Sequence, residues 1–228
     1  MANIGSIMEK YDRFVIFDTE TTGLDFARDE IIEFSAVLLE KQNGQVVIAR
    51  EYDNLVTLTP GNAVPANITQ LTGISTQDIQ QRGVAKSQVC QDIAELFRGN
   101  TLLLAYNAHF DLSFLFYLLL RNGDPTILKG KDKLDLLTVY KDRREYPHKL
   151  SNAIEAYGLS GRVVNSHRAI DDVIATVAVM EAMAAERDDL EYYVNLFGYN
   201  PKYGIDGKPI GSVTYRPQPY GNTRPLYL

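Results

Sequence analysis

The sequence predicts one α/β domain, a mixed central sheet flanked by helices, followed by a C-terminal extension. Continuous apolar runs of strand length stand at 13–17 and 101–107, apolar residues recur at helical spacing after them, and the composition changes past residue 187. A run that is apolar throughout fits a central strand covered on both faces, and helices are what cover it. At 228 residues, with 45% hydrophobic and 23% charged content, the chain has room for one sizeable core and too little for two comfortable domains.

Taken in order, RFVIF (13–17) is the first strand and EIIEFSAVLLEK (30–41) the second. QVVIAREYDNLV (45–56) is the third, after the turn signal Gln42, Asn43, Gly44, Gln45, so the chain opens as a meander. Helices are expected near 65–72 and 86–98, the latter on the spacing of Val89, Ile93, Leu96 and Phe97. That spacing makes QDIAELF (91–97) a core helix, although it loosely matches a sliding-clamp-binding peptide. TLLLAYN (101–107) is another buried strand, and DLSFLFYLLLRNG (111–123) a helix stopped by Gly123. LDLLTVYKDRR (134–144) and LSNAIEAYG (150–158) read as two more helices. The last helix, about 170–187, offers Ile174, Val177, Ala178 and Met180 for burial and closes a domain of residues 9–187. Residues 188–228 hold 7 of the 14 tyrosines, which is more apolar surface than a solvated linker carries. This extension is therefore expected to pack on the domain or on a partner.

No apolar run approaches the roughly 18 to 20 residues that span a bilayer, and MANIGSIMEKYD lacks the basic start and apolar middle of a secretion signal. A soluble, cytoplasmic protein with no membrane partner is the expectation. Cys90 is the only cysteine, which excludes an internal disulfide or a cysteine-based zinc site. The net charge of -6 and pI near 5.1 disfavour wrapping long duplex DNA, whose affinity comes from many basic phosphate contacts. Gripping a chain end stays open. The basic clusters KGKDK (129–133) and KDRR (141–144) read as solvated loop charge.

The chemistry starts at FVIFDTETTGL, where two acids interrupt a buried strand. Side chains alternate along a strand, so Asp18 and Glu20 project to one face. Two neighbouring carboxylates repel and are costly to desolvate unless something positive joins them. The motif has no basic residue, so a hard divalent cation, Mg²⁺ or Mn²⁺, is the economical answer. LLLAYNAHFDLSFL repeats the pattern, an apolar strand delivering Asp111 where a helix begins; read alone, Asp111 is a helix-start aspartate. NSHRAIDDVIAT places His167 five residues before Asp172. On an ideal helix Asp171 would share the face of His167, and only a His167 in the preceding loop frees Asp172 for the site.

Together, DTETTGL, NAHFD and H-x-x-x-x-D, in this order, resemble the three motifs of the DEDD superfamily of 3′-to-5′ exonucleases. The likeness is to its histidine branch, similar to the bacterial DNA polymerase III epsilon proofreading family. It covers roughly residues 12–185 and includes EIIEFSAV and LTGISTQDI. The resemblance implies a ribonuclease-H-like fold and hydrolysis of a terminal phosphodiester with two divalent metal ions, releasing nucleoside 5′-monophosphates. Asp18 would bridge both ions, Glu20 and Asp172 would hold the ion that binds the attacking water, and Asp111 would support the second. His167 would take the proton from that water, since an unperturbed imidazole titrates near ~6.5. The resemblance also selects Asp172 over Asp171, because its third motif sets four residues between histidine and aspartate. Thr19, Thr21, Thr22 and Gly23 would line the pocket for the last nucleotide, with Leu24 an apolar surface for a base or sugar. Gly23 also reads as a plain turn glycine, and Asn107 either orients the second-motif loop or caps it. Thr72 stands where relatives often carry a histidine. The implied partners are a nucleic acid with a 3′ end, DNA ahead of RNA, and a DNA polymerase. The alternatives are action on RNA ends or short oligonucleotides, and a polymerase-associated binding subunit.

Overall fold

The structure is a computed structural model that describes residues 4–42, 44–221 and 224–228. Asn43 of the expected 42–45 turn and residues 1–3 of the leader lie outside the described residues. Strands β1 (Arg13–Thr21), β2 (Ile31–Gln42) and β3 (Gln45–Leu55) form the antiparallel meander. Strand β4 (Thr101–Ala105) adds parallel to β1, and β5 (Asp132–Asp135) parallel to β4. The mixed sheet runs β3-β2-β1-β4-β5. Helices α1 (Ala66–Thr72), α2 (Thr76–Arg82), α3 (Lys86–Leu96), α4 (Ala108–Asn122), α5 (Leu136–Lys141), α6 (Leu150–Ala156) and α7 (Ala169–Glu186) surround it. A small parallel pair, β6 (Leu196–Tyr199) and β7 (Thr214–Pro217), lies in the extension.

Alternation along β1 builds the two cores and also aims the acids. Phe14 and Ile16, with Leu102 and Leu104 of β4, pack beneath Val173, Val179, Met180 and Met183 of α7. Val15 and Phe17, with Leu103 and Ala105, pack against α3 and α4 through Ile93, Leu115 and Leu119. Continuing the same parity sends Asp18 and Glu20 to the α7 face and Thr19 to the α4 face. Pairing with β2 slips by one residue just after Glu20, a bulge that ends the regular ladder at the acids.

Four expectations need correction. Residues 134–144 are not one helix: Leu134 and Asp135 finish edge strand β5, and the Asp135 carboxylate accepts the amides of Leu137 and Thr138 to start α5. The strand expected to reach 107 stops at Ala105, because Asn107 turns left-handed at φ 74° and α4 begins at Ala108. Helix α2 was not foreseen, although Ser75 and Asp78 make a reciprocal capping box at its start. On α7 the buried stripe is Asp172, Val173, Thr176, Val179, Met180 and Met183, and Ile174 is 41% exposed. The stripe is rotated because Asp172 faces inward and its i+4, i+7, i+8 and i+11 neighbours follow it.

The extension packs into both cores. Leu190, Tyr193, Leu196 and Leu226 join the α7 side, and Phe197 the other. Tyr193 donates to buried Asp142 at 3.0 Å, and buried Gln218 donates to the Thr138 carbonyl at 2.9 Å. Among the described residues no helix is long and apolar enough to cross a membrane.

Candidate active site

The site assembles at the C-terminal end of β1, where three elements meet. Asp18 and Glu20 come from the strand and Asp172 from the first turn of α7, and one carboxylate oxygen from each lies within 4.8 Å of the other two. Asp171 stays outside this trio and accepts a hydrogen bond from the Ser166 hydroxyl. His167 sits in the exposed loop before α7 at φ +57°, so it does not start the helix, and Asp172 turns inward. Asn165 holds the Asp172 carboxylate at 2.6 Å.

Asp111 approaches from the α4 face. Its buried carboxylate accepts the Thr19 amide at 2.9 Å and the Thr19 hydroxyl at 2.7 Å. Thr19 thus fixes an acid and has no hydroxyl proton left to offer elsewhere. The turn into α4 is held by Asp135, which accepts the amides of Asn107 and Ala108 at 2.9 and 3.0 Å. The Asn107 side chain makes no cap; its contribution is the left-handed backbone that most residues disfavour.

Charge makes the cluster unstable by itself. At an effective dielectric near 20, unit charges this close repel by about 3 to 4 kcal/mol per pair. Burial first, then Asp111, Glu20, Asp172 and Glu33, push the Asp18 carboxyl well above its ordinary range. Burial, then Asp172, Glu33 and Asp111, push Glu20 up to about 8. Burial raises Asp111 against the pull of its Thr19 hydrogen bonds, and raises Asp172 against Asn165 and His167. Arg168 lowers Glu20 somewhat, but it is committed to Glu33. Hard oxygen donors, crowded and short of a counter-charge, fit a divalent cation.

Glu33 is the residue that motif reading passed over. It stands opposite Glu20 in the β1–β2 register and is fully buried. Its carboxylate accepts Arg168 Nε at 2.9 Å and the Ala169 amide at 2.8 Å. It therefore ties down the start of α7, and with it the loop carrying His167 and the turn carrying Asp172. The signal was present in Ile31-Ile32-Glu33-Phe34, an acid inside an apolar run, as at Asp18.

The loop after β1 is internally braced. The Thr21 hydroxyl donates to the Gly23 carbonyl at 2.6 Å, and Thr22 donates to Asp29 at 3.0 Å. A Cβ at Gly23 would collide with the Asp29 carboxylate, so any side chain there would have to displace that acid from Thr22 and Asp25. Leu24 is 76% exposed at the tip. Thr72 is buried, donates to the Ile68 carbonyl at 3.0 Å and accepts the Ile74 amide at 3.1 Å. His109 is occupied by the extension. Nδ1 lies 2.7 Å from the Tyr215 hydroxyl and Nε2 contacts the Asp206 carbonyl. A carbonyl can only accept, so Nε2 carries the proton and Tyr215 donates to Nδ1.

The RNase T exonuclease family model matches residues 15–180. The DNA polymerase III PolC-type protein of Clostridium perfringens is 34% identical over 172 residues, 75% of this chain and 11% of that protein. The DNA polymerase III subunit epsilon of Treponema pallidum is 31% identical over 174 residues, 75% of this chain and 76% of that protein. The 3'-5' exonuclease DinG of Bacillus subtilis is 32% identical over 165 residues, 64% of this chain and 17% of that protein. Against the PolC-type relatives the chain thus spans about a tenth of their length. Escherichia coli exonuclease I, solved with a dT13 oligonucleotide, superposes with a TM-score of 0.70 at 22% identity over 80% of this chain and 43% of its own. That likeness is one of fold, the ribonuclease-H-like arrangement of mixed sheet and helices. With the family match running through the strand, helix and loop that bring the acids together, this chain belongs to the exonuclease family.

Proposed function

We propose that the protein is a 3′-to-5′ exonuclease that removes nucleoside 5′-monophosphates from single-stranded or frayed DNA ends. The observation that carries this reading is the trio Asp18, Glu20 and Asp172, three carboxylates converging within 4.8 Å. Residues 9–187 form the catalytic domain, and 188–228 an extension that braces it. Asp18, Glu20 and Asp172, with Asp111 beside them, would hold two divalent ions, Mg²⁺ or Mn²⁺. Such ions supply Lewis acidity at the phosphoryl oxygens and make water acidic enough to attack near neutral pH.

The chain's own groups do the rest. His167, exposed and next to Asp172 in the field of the cluster, takes the proton of the attacking water. His109, with both ring nitrogens engaged, is unsuited to that role. Thr19 holds Asp111 in register with the strand. Thr21, Thr22 and Gly23 shape the loop that presents Leu24, an apolar surface that any terminal base or sugar can cover. The relatives named as polymerase III proteins favour DNA, a polymerase partner and a cytoplasmic location.

The test is a gel assay of the purified protein on matched DNA and RNA oligomers. A 5′ label should give a descending ladder, and a 3′ label should be released as mononucleotide from the first turnover, faster on DNA. A ladder from the 3′-labelled strand with the mononucleotide absent would reverse the polarity and refute the reading.

A further inference from the structure

An exonuclease with a net charge of -6 must hold a polyanion with little help from long-range electrostatics. Some other term has to retain the strand upstream of the reacting end. One surface feature on the trio's side of the sheet supplies it.

Tyr106, in the turn just past β4, packs against the α7-side core that Phe14 and Ile16 of the acid-bearing strand also line. The Tyr106 hydroxyl donates to the carbonyls of His148, at 2.9 Å, and Lys149, at 3.2 Å. It thereby anchors the loop between α5 and α6 to the end of β4. From there a chain of rings leads outward. Tyr106 meets Tyr140 at 6.4 Å, Tyr140 meets the buried His148 edge-on at 5.8 Å, and His148 stacks on Tyr220 at 6.0 Å and 29°. Tyr220 closes against Tyr146 at 4.8 Å.

The inner rings are covered and the outer two are not. Tyr146 is 64% and Tyr220 51% exposed, although they come from segments more than seventy residues apart. His148 is fixed beneath them by a 2.9 Å hydrogen bond between its Nε2 and the Arg144 carbonyl. Glu145 and Lys149, exposed neighbours of this segment in sequence, carry opposite charges. Two exposed rings backed by a buried imidazole make a surface that suits flat rings better than phosphates.

We infer that Tyr146 and Tyr220 form a stacking platform for the bases of a single-stranded polynucleotide, upstream of the terminal nucleotide. This rests on the exonuclease reading for its direction, and on the ring geometry for its existence. Every base has a π-face, so such a platform retains a strand of any sequence. It makes the extension, through Tyr220, part of the substrate surface.

The experiment measures binding and cleavage separately. Fluorescence anisotropy with labelled dT12 in EDTA reads binding without turnover, for the wild type, Tyr146→Ala, Tyr220→Ala, Tyr220→Trp and, as control, Tyr192→Ala, an exposed tyrosine that packs on Tyr227 instead. Each alanine at the platform should weaken dT12 binding by roughly 5- to 150-fold, the usual range for one base–aromatic stack, and tryptophan should restore it. The slope of affinity against salt should stay that of the wild type, since no phosphate contact is lost. In Mg²⁺, the ratio of kcat/KM on dT12 to that on dT2 should fall by a similar factor. Should Tyr220→Ala fold poorly, Tyr146→Ala, at the more exposed ring, carries the test. Wild-type dT12 affinity in a folded Tyr146→Ala, or an equal loss in Tyr192→Ala, overturns the platform. If the variants lose binding but the wild type cleaves nothing, the platform stands and the exonuclease reading falls. If dT2 and dT12 are cleaved alike and the variants bind normally, the reverse holds.

Discussion

The Tyr215 hydroxyl lies 2.7 Å from Nδ1 of His109, joining the C-terminal extension to the first turn of α4, which carries Asp111. The network continues on both sides. The Ile210 amide donates to the Tyr215 oxygen at 3.2 Å, and His109 donates from Nε2 to the Asp206 carbonyl. Phe26, in the loop that carries Leu24, closes against the same imidazole, and a Cβ on Gly207 would come within 2.8 Å of the Phe26 ring. Tyr215→Phe should therefore cost about 1 to 2 kcal/mol, a lost hydrogen bond plus an unsatisfied ring nitrogen. Urea denaturation checks this; an unchanged midpoint would mean that the extension is not coupled to the start of α4.

His167→Ala should lower turnover by on the order of 10²- to 10⁴-fold with DNA affinity nearly intact, the usual loss of a general base. His109→Gln should cost far less turnover and show mainly as lost stability. Steady-state kinetics on both variants, beside melting curves, decide the assignment. A more damaging His109→Gln would move the base to the second motif.

Glu33→Gln should leave the fold intact yet reduce activity, because the amide keeps an acceptor for the Ala169 N–H but surrenders the charged pairing with Arg168. Glu33→Ala should also destabilise by roughly 1 to 3 kcal/mol, by orphaning the partners of a fully buried acceptor. If Glu33→Ala matched the wild type in both kcat and stability, Glu33 would have no part in placing His167 and Asp172.

Glu20, raised to about 8 by burial and then by Asp172, Glu33 and Asp111, ties stability to pH and metal. An unfolded glutamate titrates near ~4.3, so between that value and the folded one the native state holds a proton the unfolded chain has lost. Metal-free stability should fall as pH rises through this window. A bound divalent ion replaces the proton, so added Mn²⁺ should raise Tm more at pH 8 than at pH 5.5. At a hundredfold excess over Kd the gain is about 2.7 kcal/mol. No shift in Tm at pH 8 would speak against a cation in the cluster.

Most of the sheet and the acids of the three motifs were legible in the sequence, because both depend on local pattern. Continuous apolar runs mark strands covered on both faces, and an acid breaking such a run, as at Asp18, marks a departure that packing alone does not explain. Long-range pairings left no such mark. Nothing near His109 points to Tyr215, 106 residues away, and nothing near Glu33 points to Arg168, 135 residues away. Leu134 and Asp135 read as helical because the apolar spacing runs on into α5, while their strand depends on pairing with Leu104 and Ala105. The stripe on α7 was missed for a related reason. Ile174 is the more hydrophobic choice, but the helix is rotated by the demand that Asp172 face Asp18 and Glu20.

The most direct test is to measure Mn²⁺ binding by calorimetry and cleavage of 5′-labelled single-stranded DNA on the same samples of wild type, Asp172→Asn and Asp171→Asn. The wild type and Asp171→Asn should bind the ion and shorten the strand from its 3′ end, with all cleavage stopped by EDTA. Folded Asp172→Asn should lose both the heat of binding and the ladder. Robust cleavage in excess EDTA, or an Asp172→Asn that binds and cuts as the wild type does while Asp171→Asn does neither, would contradict the trio as the metal site.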